Sequence, residues 1–391
     1  MSKFAKVKLK NCATFINSMA FKPIDWDVKG LPIVRIQNLT GTNKNFNYYS
    51  KEYNPKFEIN NGDLLISWSA SLGIFIWNND KAILNQHIFK VVFYKIEINK
   101  KYFYFCILDV LEEMSEKTHG SVMRHITKGD FDNIEIPLPP LKEQKRIVGI
   151  LDESFAKIDE SIKILEQNLL NLDELMQSAL QKAFNPLNDN TKENYQLPQS
   201  WEWKSLGDTS NYGKTSQVKP SQLKGNDWIL ELEDIEKESG VLLQKVLFQD
   251  RQSKSNKIKF NKGDILFGTL RPYLKKVIIA DDNGACSSEI MPFSTGNSIT
   301  NHFIYYYLFA NFLHDRISSL TYGARMPRLG TKDGKSLQIP LPPLQEQEQI
   351  AEHLDFVFEK AKALKELYTK ELKDYEELKQ SLLDKAFKGE L

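Results

Sequence analysis

Arginine, asparagine and glutamine can each make paired hydrogen bonds to one base edge, while lysine and arginine neutralise phosphate, so acid-poor loops rich in these residues are where a polyanion would be held. Several stretches have this composition. Arg35, Gln37 and Asn38 close an apolar strand and precede Thr40-Gly41-Thr42-Asn43-Lys44. The run from Lys117 to Lys128 contains His119, Arg124 and His125 and no acid. Further along, Lys214 and the segment Arg251-Gln252-Ser253-Lys254-Ser255-Asn256-Lys257 are basic. Arg271-Pro272-Tyr273 follows an apolar strand, and Tyr322-Gly323-Ala324-Arg325-Met326-Pro327-Arg328 combines an aromatic, a glycine and two arginines without an acid. A solvated surface loop accounts equally well for Arg251 to Lys257, and a strand-end arginine such as Arg35 is as readily tied to a carboxylate of its own fold.

Covalent chemistry finds no comparable constellation. Amine methylation would need a glycine-rich cofactor loop and an Asp/Asn-Pro-Pro-aromatic site, but the double prolines here stand in Leu-Pro-Pro-Leu. Gly330-Thr331-Lys332-Asp333-Gly334-Lys335-Ser336 is one residue short of a phosphate loop and leads into a proline-bearing strand. Asp27-Val28-Lys29 resembles the end of a nuclease carboxylate motif without an acidic partner. The six histidines show no paired metal spacing, and Cys12, Cys106 and Cys286 form no CxxC pair. No residue is assigned a catalytic, cofactor or metal role.

A chain of 391 residues, 41% hydrophobic and 26% charged, is long enough for two to four structural units and unlike a disordered one. No run approaches a membrane span, and the first residues lack a signal-peptide pattern, so the expected location is cytoplasmic. The net charge of +1 hides an alternation. Met1 to Glu135 holds 18 basic and 14 acidic residues and Gln196 to Gln338 holds 19 and 15, whereas the segments 136–195 and 339–391 together hold 15 and 22. Two weakly basic blocks alternate with acidic ones.

The segmentation follows an internal repeat. IPLPPLKEQKRIVGILDESFAKIDE begins at Ile136 and IPLPPLQEQEQIAEHLDFVFEKAKA at Ile339, an offset of 203 that continues without a gap to Phe184 and Phe387. Identity at 22 of 49 aligned positions marks a duplication. In each copy the proline pair ends a strand and starts a helix. Apolar residues then recur at alternating spacings of four and three from Leu151, Phe155 and Ile158 to Ala183, and in a slightly less regular stripe from Ile350, Leu354 and Phe358 through Leu364 and Leu378 to Leu382. This heptad seam predicts two mutually packed helices, each a rod of roughly 66 Å that can serve as a spacer. Glu143-Gln144 and Glu346-Gln347 are expected to cap the helix starts.

The repeat persists faintly in the blocks ahead of the rods. Asn61-Gly62-Asp63-Leu64-Leu65 corresponds to Lys262-Gly263-Asp264-Ile265-Leu266, and HGSVMRHITKGDFDNIEIPLPP from His119 aligns with YGARMPRLGTKDGKSLQIPLPP from Tyr322. Strands are expected at Leu31–Ile36, Leu64–Trp68, Ile74–Trp77, Ile88–Phe93, Trp228–Leu232, Ile265–Phe267 and Val277–Ala280, and helices at Tyr102–Glu116 and His302–Leu320. The fold class is α+β: two mixed α/β domains with twisted sheets, at 1–135 and 196–338, separated by two long antiparallel coiled-coil helices at 136–195 and 339–391, in an internal pseudo-twofold duplication.

With the repeated IPLPPLxEQ, the Gly-Asp-(Leu/Ile)-Leu turn and a long helix after each, the chain resembles the specificity subunit of Type I restriction-modification enzymes over its whole length. LPQSWEWKSLGD from Leu197 also resembles the opening of that family's target-recognition domain, whereas the first half opens at AKVKLKN without the tryptophan pair. The resemblance implies two target-recognition domains, each reading one half of a bipartite site in double-stranded DNA, with the paired helices fixing the spacing. It also implies two methyltransferase subunits docked on the helices and translocase/nuclease subunits completing the complex. S-adenosylmethionine, ATP and magnesium would then belong to the partners, and this chain would perform no chemistry. A coiled-coil scaffold that binds proteins, or an enzyme with unrecognised motifs, are the competing readings.

Overall fold

A computed structural model describes residues 3–69, 71–116, 128–189, 195–251 and 253–391. They gather into two compact units, Met1–Leu165 with Lys370–Leu391, and Glu166–Thr369. The boundary passes through the rods, which the sequence sets apart as segments of their own. Helices Leu141–Phe184 and Leu344–Lys388 each contribute one part to each unit.

In the first unit, strands Thr14–Asn17, Ile88–Val92, Leu64–Ser67 and Gly73–Ile76 lie side by side in that order, all antiparallel. A second sheet orders Asn47–Tyr49, Leu31–Val34, Ala82–Leu84 and Glu58–Ile59 around a parallel central pair. The strand at Leu31 stops at Val34, two residues before its expected end, because Arg35 turns the chain into helix Ile36–Leu39 with its N–H held by the Asn38 carboxamide. The core joins Leu9, Phe15, Leu64, Phe89 and Phe103 to Ile147 and Leu151 of the first rod and Leu383, Ala386 and Phe387 of the second.

The second unit repeats this plan. Val277–Ile279, Ile265–Gly268 and Ile290–Phe293 form one sheet; Gln217–Val218, Lys257–Phe260, Gly284–Cys286 and Trp228–Leu230 form the other, again with one parallel pair. Its core contains Leu206, Phe267, Phe303 and Ile317, Leu354 of the second rod, and Leu180 and Phe184 of the first. At the 203 offset Leu180 matches Leu383 and Phe184 matches Phe387, so each globule rests on the start of its own rod and the end of the other.

The duplication reaches individual hydrogen bonds. Leu9 N–H donates to Ile134 O at 2.9 Å and Leu206 N–H to Leu337 O at 2.8 Å. The Asp63 carboxylate accepts from Asn60 N–H at 2.9 Å and that of Asp264 from Asn261 N–H at 2.8 Å. Gly62 and Gly263 in these turns have φ of 85° and 91°, where a side chain would be strained, which accounts for the shared Gly-Asp.

The rods pair antiparallel within each unit: Lys379 bonds Asp159 in the first, Lys365 bonds Asp173 in the second. The two aspartates are 14 residues apart, as are the two lysines, which is two heptads. Leu151, Ile158, Leu165, Leu172 and Met176 of the expected first seam are buried. The second seam departs from expectation at Leu364 and Leu378, which are 38% and 43% exposed. Nearer the end of the rod, Leu383 and Phe387 take over the buried stripe.

The helix expected over His302–Leu320 is two, Asn301–Tyr307 and Asn311–Leu320. Carbonyls freed at the break find side-chain donors: Leu308 O lies 2.6 Å from His314 Nε2, and Phe309 O accepts from Lys275 Nζ at 3.1 Å and Gln177 Nε2 at 3.3 Å.

Candidate nucleic-acid interface

In the second unit the acid-free loop is a hairpin, Thr321–Tyr322 against Arg328–Leu329. It is held to the segment after the Gly263-Asp264 strand: Leu329 N–H donates to Thr269 O at 2.9 Å, and Arg271 N–H to Pro327 O at 2.7 Å. Arg271 has the left-handed φ of 49° and is followed by the short turn Pro272–Leu274, so its side chain stands exposed beside the hairpin. Tyr322, Met326 and Tyr273 are 60%, 55% and 49% exposed, and Arg325 is exposed as well. Arg328 is half-buried, with Glu289 3.4 Å from its guanidinium. The fold therefore brings Arg271, Tyr322, Arg325 and Arg328 together from positions some 50 residues apart.

Lys214 is exposed next to Gly213, where a Cβ would meet Thr331 Cγ2 at 2.5 Å, which places it beside the helix that follows the hairpin. That helix, Thr331–Lys335, spans the run considered as a phosphate loop. Its Gly334 is packed so closely on Tyr212 that a Cβ would lie 2.5 Å from the ring, so the glycine serves packing.

Two of the basic residues face inward. Lys257 is 2% exposed, with Nζ 2.7 Å from Glu231 Oε1 and 2.9 Å from Ser255 Oγ. Arg251 forms a two-pronged pair with fully buried Asp234, Nη1 to Oδ2 at 2.5 Å and Nη2 to Oδ1 at 2.8 Å. Burial raises the Asp234 pKa, but hydrogen bonds from Arg251, Glu231 N–H and Gln244 outweigh it and hold the carboxyl below its usual range. Both cations balance acids of their own fold, which the composition of the segment does not disclose. Lys254, between them, is exposed.

In the first unit Arg35 lies over the Trp26 ring, 5.5 Å from its centroid. With the Gln37 carboxamide turned so that its oxygen faces the guanidinium, it accepts from Arg35 at 3.0 and 3.1 Å. Asn38 Nδ2 donates to the carbonyls of Asn43 and Asn45 at 2.9 Å each, folding the Thr40–Lys44 loop and leaving Lys44 exposed. Lys128 is exposed at the start of helix Lys128–Asn133. His119, Arg124 and His125 lie outside the described residues.

Sequence reasoning missed Trp26, 41% exposed between Ile24 and Val28, which are 84% and 90% exposed. Its signal is three large apolar residues in a five-residue stretch otherwise occupied by aspartates. It also missed Glu289, whose partnership with Arg328 spans 39 residues.

Among the described residues no group of three or more His, Cys, Asp and Glu is arranged to hold a metal ion, and no helix is long and apolar enough to cross a membrane. The three cysteines are buried, and burial pushes the Cys12 thiol up to about 11, away from nucleophilic use.

The sequence matches the Type I restriction modification DNA specificity domain over residues 1–171 and again over 198–373. Among characterised relatives, the Type I restriction enzyme EcoDI specificity subunit of Escherichia coli is 27% identical over 76% of this chain and 71% of its own. The EcoBI specificity subunit of the same species is 25% identical over 99% and 86%. A chain from a study of complex assembly and conformational transition of the type I R-M system superposes with a TM-score of 0.75 at 20% identity, covering 99% of this chain and 98% of that one. The HsdS subunit from Thermoanaerobacter tengcongensis superposes at 0.53 with 21% identity, over 99% and 97%. A doubled globule-and-rod plan, a basic aromatic hairpin on the second globule and a family match over both halves lead to one assignment: the chain belongs to the Type I restriction modification DNA specificity family.

Proposed function

We propose that this chain is the DNA-recognition subunit of a Type I restriction-modification complex, each globule reading one half of a bipartite duplex site. The observation that carries this reading is the pairing of a shared scaffold with unlike surfaces. At the capped turn after the parallel strand, the first unit presents Arg35 and Gln37, whereas the second has Glu231, held by Lys257, and the exposed Glu233, with Asn38 and Asp234 accepting the equivalent backbone N–H at 3.0 and 2.8 Å. One backbone displaying different hydrogen-bonding groups is suited to reading different base edges.

In this reading Arg271, Arg325, Arg328, Lys214 and Lys254 serve the second half-site together with Tyr322, while Arg35, Gln37, Lys44 and Lys128, with His119, Arg124 and His125, serve the first. The rods fix half-site separation and receive two methyltransferase subunits, and translocase/nuclease subunits complete a cytoplasmic complex. The chain itself is non-catalytic; S-adenosylmethionine, ATP and magnesium act in the partners.

The test is to co-express the chain with its methyltransferase subunit in a methylation-free host and map modified adenines. A two-part motif with an unspecified spacer, absent when this chain is omitted, is expected. Unmodified DNA despite a soluble, associated pair, together with duplex affinity that does not fall with salt, would favour the protein-binding scaffold.

A further inference from the structure

The two units treat one duplicated carboxylate differently. Asp152 and Asp355 occupy equivalent places at the 203 offset, eight residues along each rod from Gln144 and Gln347. Those glutamines accept from Asn99 N–H at 2.8 Å and from Thr300 N–H at 2.9 Å, which aligns the following helices residue by residue: Lys101 with His302, Tyr104 with Tyr305, Phe105 with Tyr306. Ring contacts agree, Phe105 meeting Phe155 at 5.5 Å and Tyr306 meeting Phe358 at 5.1 Å.

In the first unit Lys101 Nζ sits 2.6 Å from Asp152 Oδ2, so the carboxylate has an internal cation. In the second unit His302 stands where that lysine would be, and among the described residues Asp355 has no ion-pair partner. It accepts a hydrogen bond from the buried Tyr306 hydroxyl instead. Beside it opens a cleft of about 340 Å3, with Trp228, Tyr305, Tyr306, His302, Asp281 and Asp355 in its walls. Gly240 completes the wall at φ 71°; a Cβ there would fall 2.0 Å from the Tyr305 hydroxyl, so a residue with a side chain would displace that ring.

Two residues of the cleft wall, Trp228 and Asp281, already contact an ammonium of the same unit. Lys245 Nζ lies 4.5 Å from the centroid of Trp228 and 3.1 Å from Asp281. Asp355 and His302 are exposed, whereas Tyr306 beneath them is buried, and aromatic faces beside carboxylates attract cations. The Asp355 end has the same ingredients and lacks the cation that the first unit supplies.

We propose that this cleft of the second unit receives an arginine side chain from a partner protein, its guanidinium pairing with Asp355 in the place that Lys101 fills opposite Asp152. A planar guanidinium can stack on a tyrosine face while donating to a carboxylate, which suits Tyr305, Tyr306 and Asp355.

The experiment is calorimetric titration of the full chain with N-acetyl-L-argininamide and with N-acetyl-L-citrullinamide, which has nearly the same shape without the charge. The arginine compound is expected to bind in the millimolar range, as a single side chain does, and at least about fivefold more tightly than citrulline. Asp355→Asn should weaken it by about fivefold, and His302→Lys, which recreates the internal pair of the first unit, should do the same with the circular dichroism unchanged. Equal binding of the two compounds, arginine binding unaffected by both substitutions, or no binding at tens of millimolar would overturn the proposal.

Discussion

The Gln347 side-chain oxygen accepts a hydrogen bond from Thr300 N–H at 2.9 Å, while its amide nitrogen donates to Pro342 O at 2.8 Å and Ser298 O at 3.0 Å. A residue expected to cap its own rod instead ties the rod's start to the N-terminus of another helix. Gln144 does the same in the first unit, with Asn99 N–H and, at 2.8 Å, Pro139 O. Both glutamines are buried, so the exchange of hydrogen bonds is protected from water.

Gln347→Leu should therefore cost stability without touching the basic surface. Leaving buried backbone groups unpaired is worth roughly 1–3 kcal/mol. Thermal denaturation should register the loss, and Gln347→Glu should not restore it, because a carboxylate cannot donate to Pro342 O. Wild-type stability in Gln347→Leu would show that the tie is incidental.

The basic residues divide into two experimental classes. Arg271→Ala and Arg325→Ala should weaken duplex binding while leaving folding unchanged, and each phosphate contact removed should lessen the slope of log K against log salt by about 0.9. Arg251→Ala should instead lower stability by about 3 kcal/mol, since it strands the buried Asp234 carboxylate. Binding isotherms at two or more salt concentrations, set beside denaturant melts, separate the classes; a folding defect in Arg325→Ala with intact binding would reverse the assignment.

His314 introduces a pH dependence. Burial lowers its pKa to about 4, with Lys275 adding to the shift and the hydrogen bond to Leu308 O opposing it. Because the unfolded chain takes up this proton near pH 6.5 and the folded chain only near 4, stability is fully present above about 6.5 and is lost as the pH falls through that window. The contribution is on the order of 3 kcal/mol. Chemical denaturation from pH 7 to 4 should show this slope in the wild type and a shallower one in His314→Gln; equal slopes would assign the acid sensitivity elsewhere.

Modularity gives the last expectation. Exchanging Met1 to Glu135 for the corresponding block of a relative should change one half of the methylated motif and leave the other. Lengthening the first rod by one heptad should alter the unspecified spacer and neither half-site. Methylation mapping of each hybrid decides the matter, and a change in both half-sites from either alteration would contradict independent reading.

Much of this architecture is written locally. The proline pairs, heptad spacing and Gly-Asp turns act through backbone geometry and short-range packing, so the duplication, the rods and most strands are legible from residue order alone. The fate of a cation is different, because it depends on which acid the fold brings to it. Arg251 and Lys257 look like the residues of the Tyr322–Arg328 loop in composition. They turn inward because Asp234 and Glu231, 17 and 26 residues earlier, reach them across the sheet. Among the described residues Arg325 meets no such acid, and it is exposed. The split of His302–Leu320 into two helices likewise follows from distant donors, Lys275 and Gln177, that satisfy the carbonyl freed at Phe309. Sequence periodicity determined the scaffold; long-range charge and hydrogen-bond pairing, visible only in the tertiary structure, decided which side chains remain available to a partner.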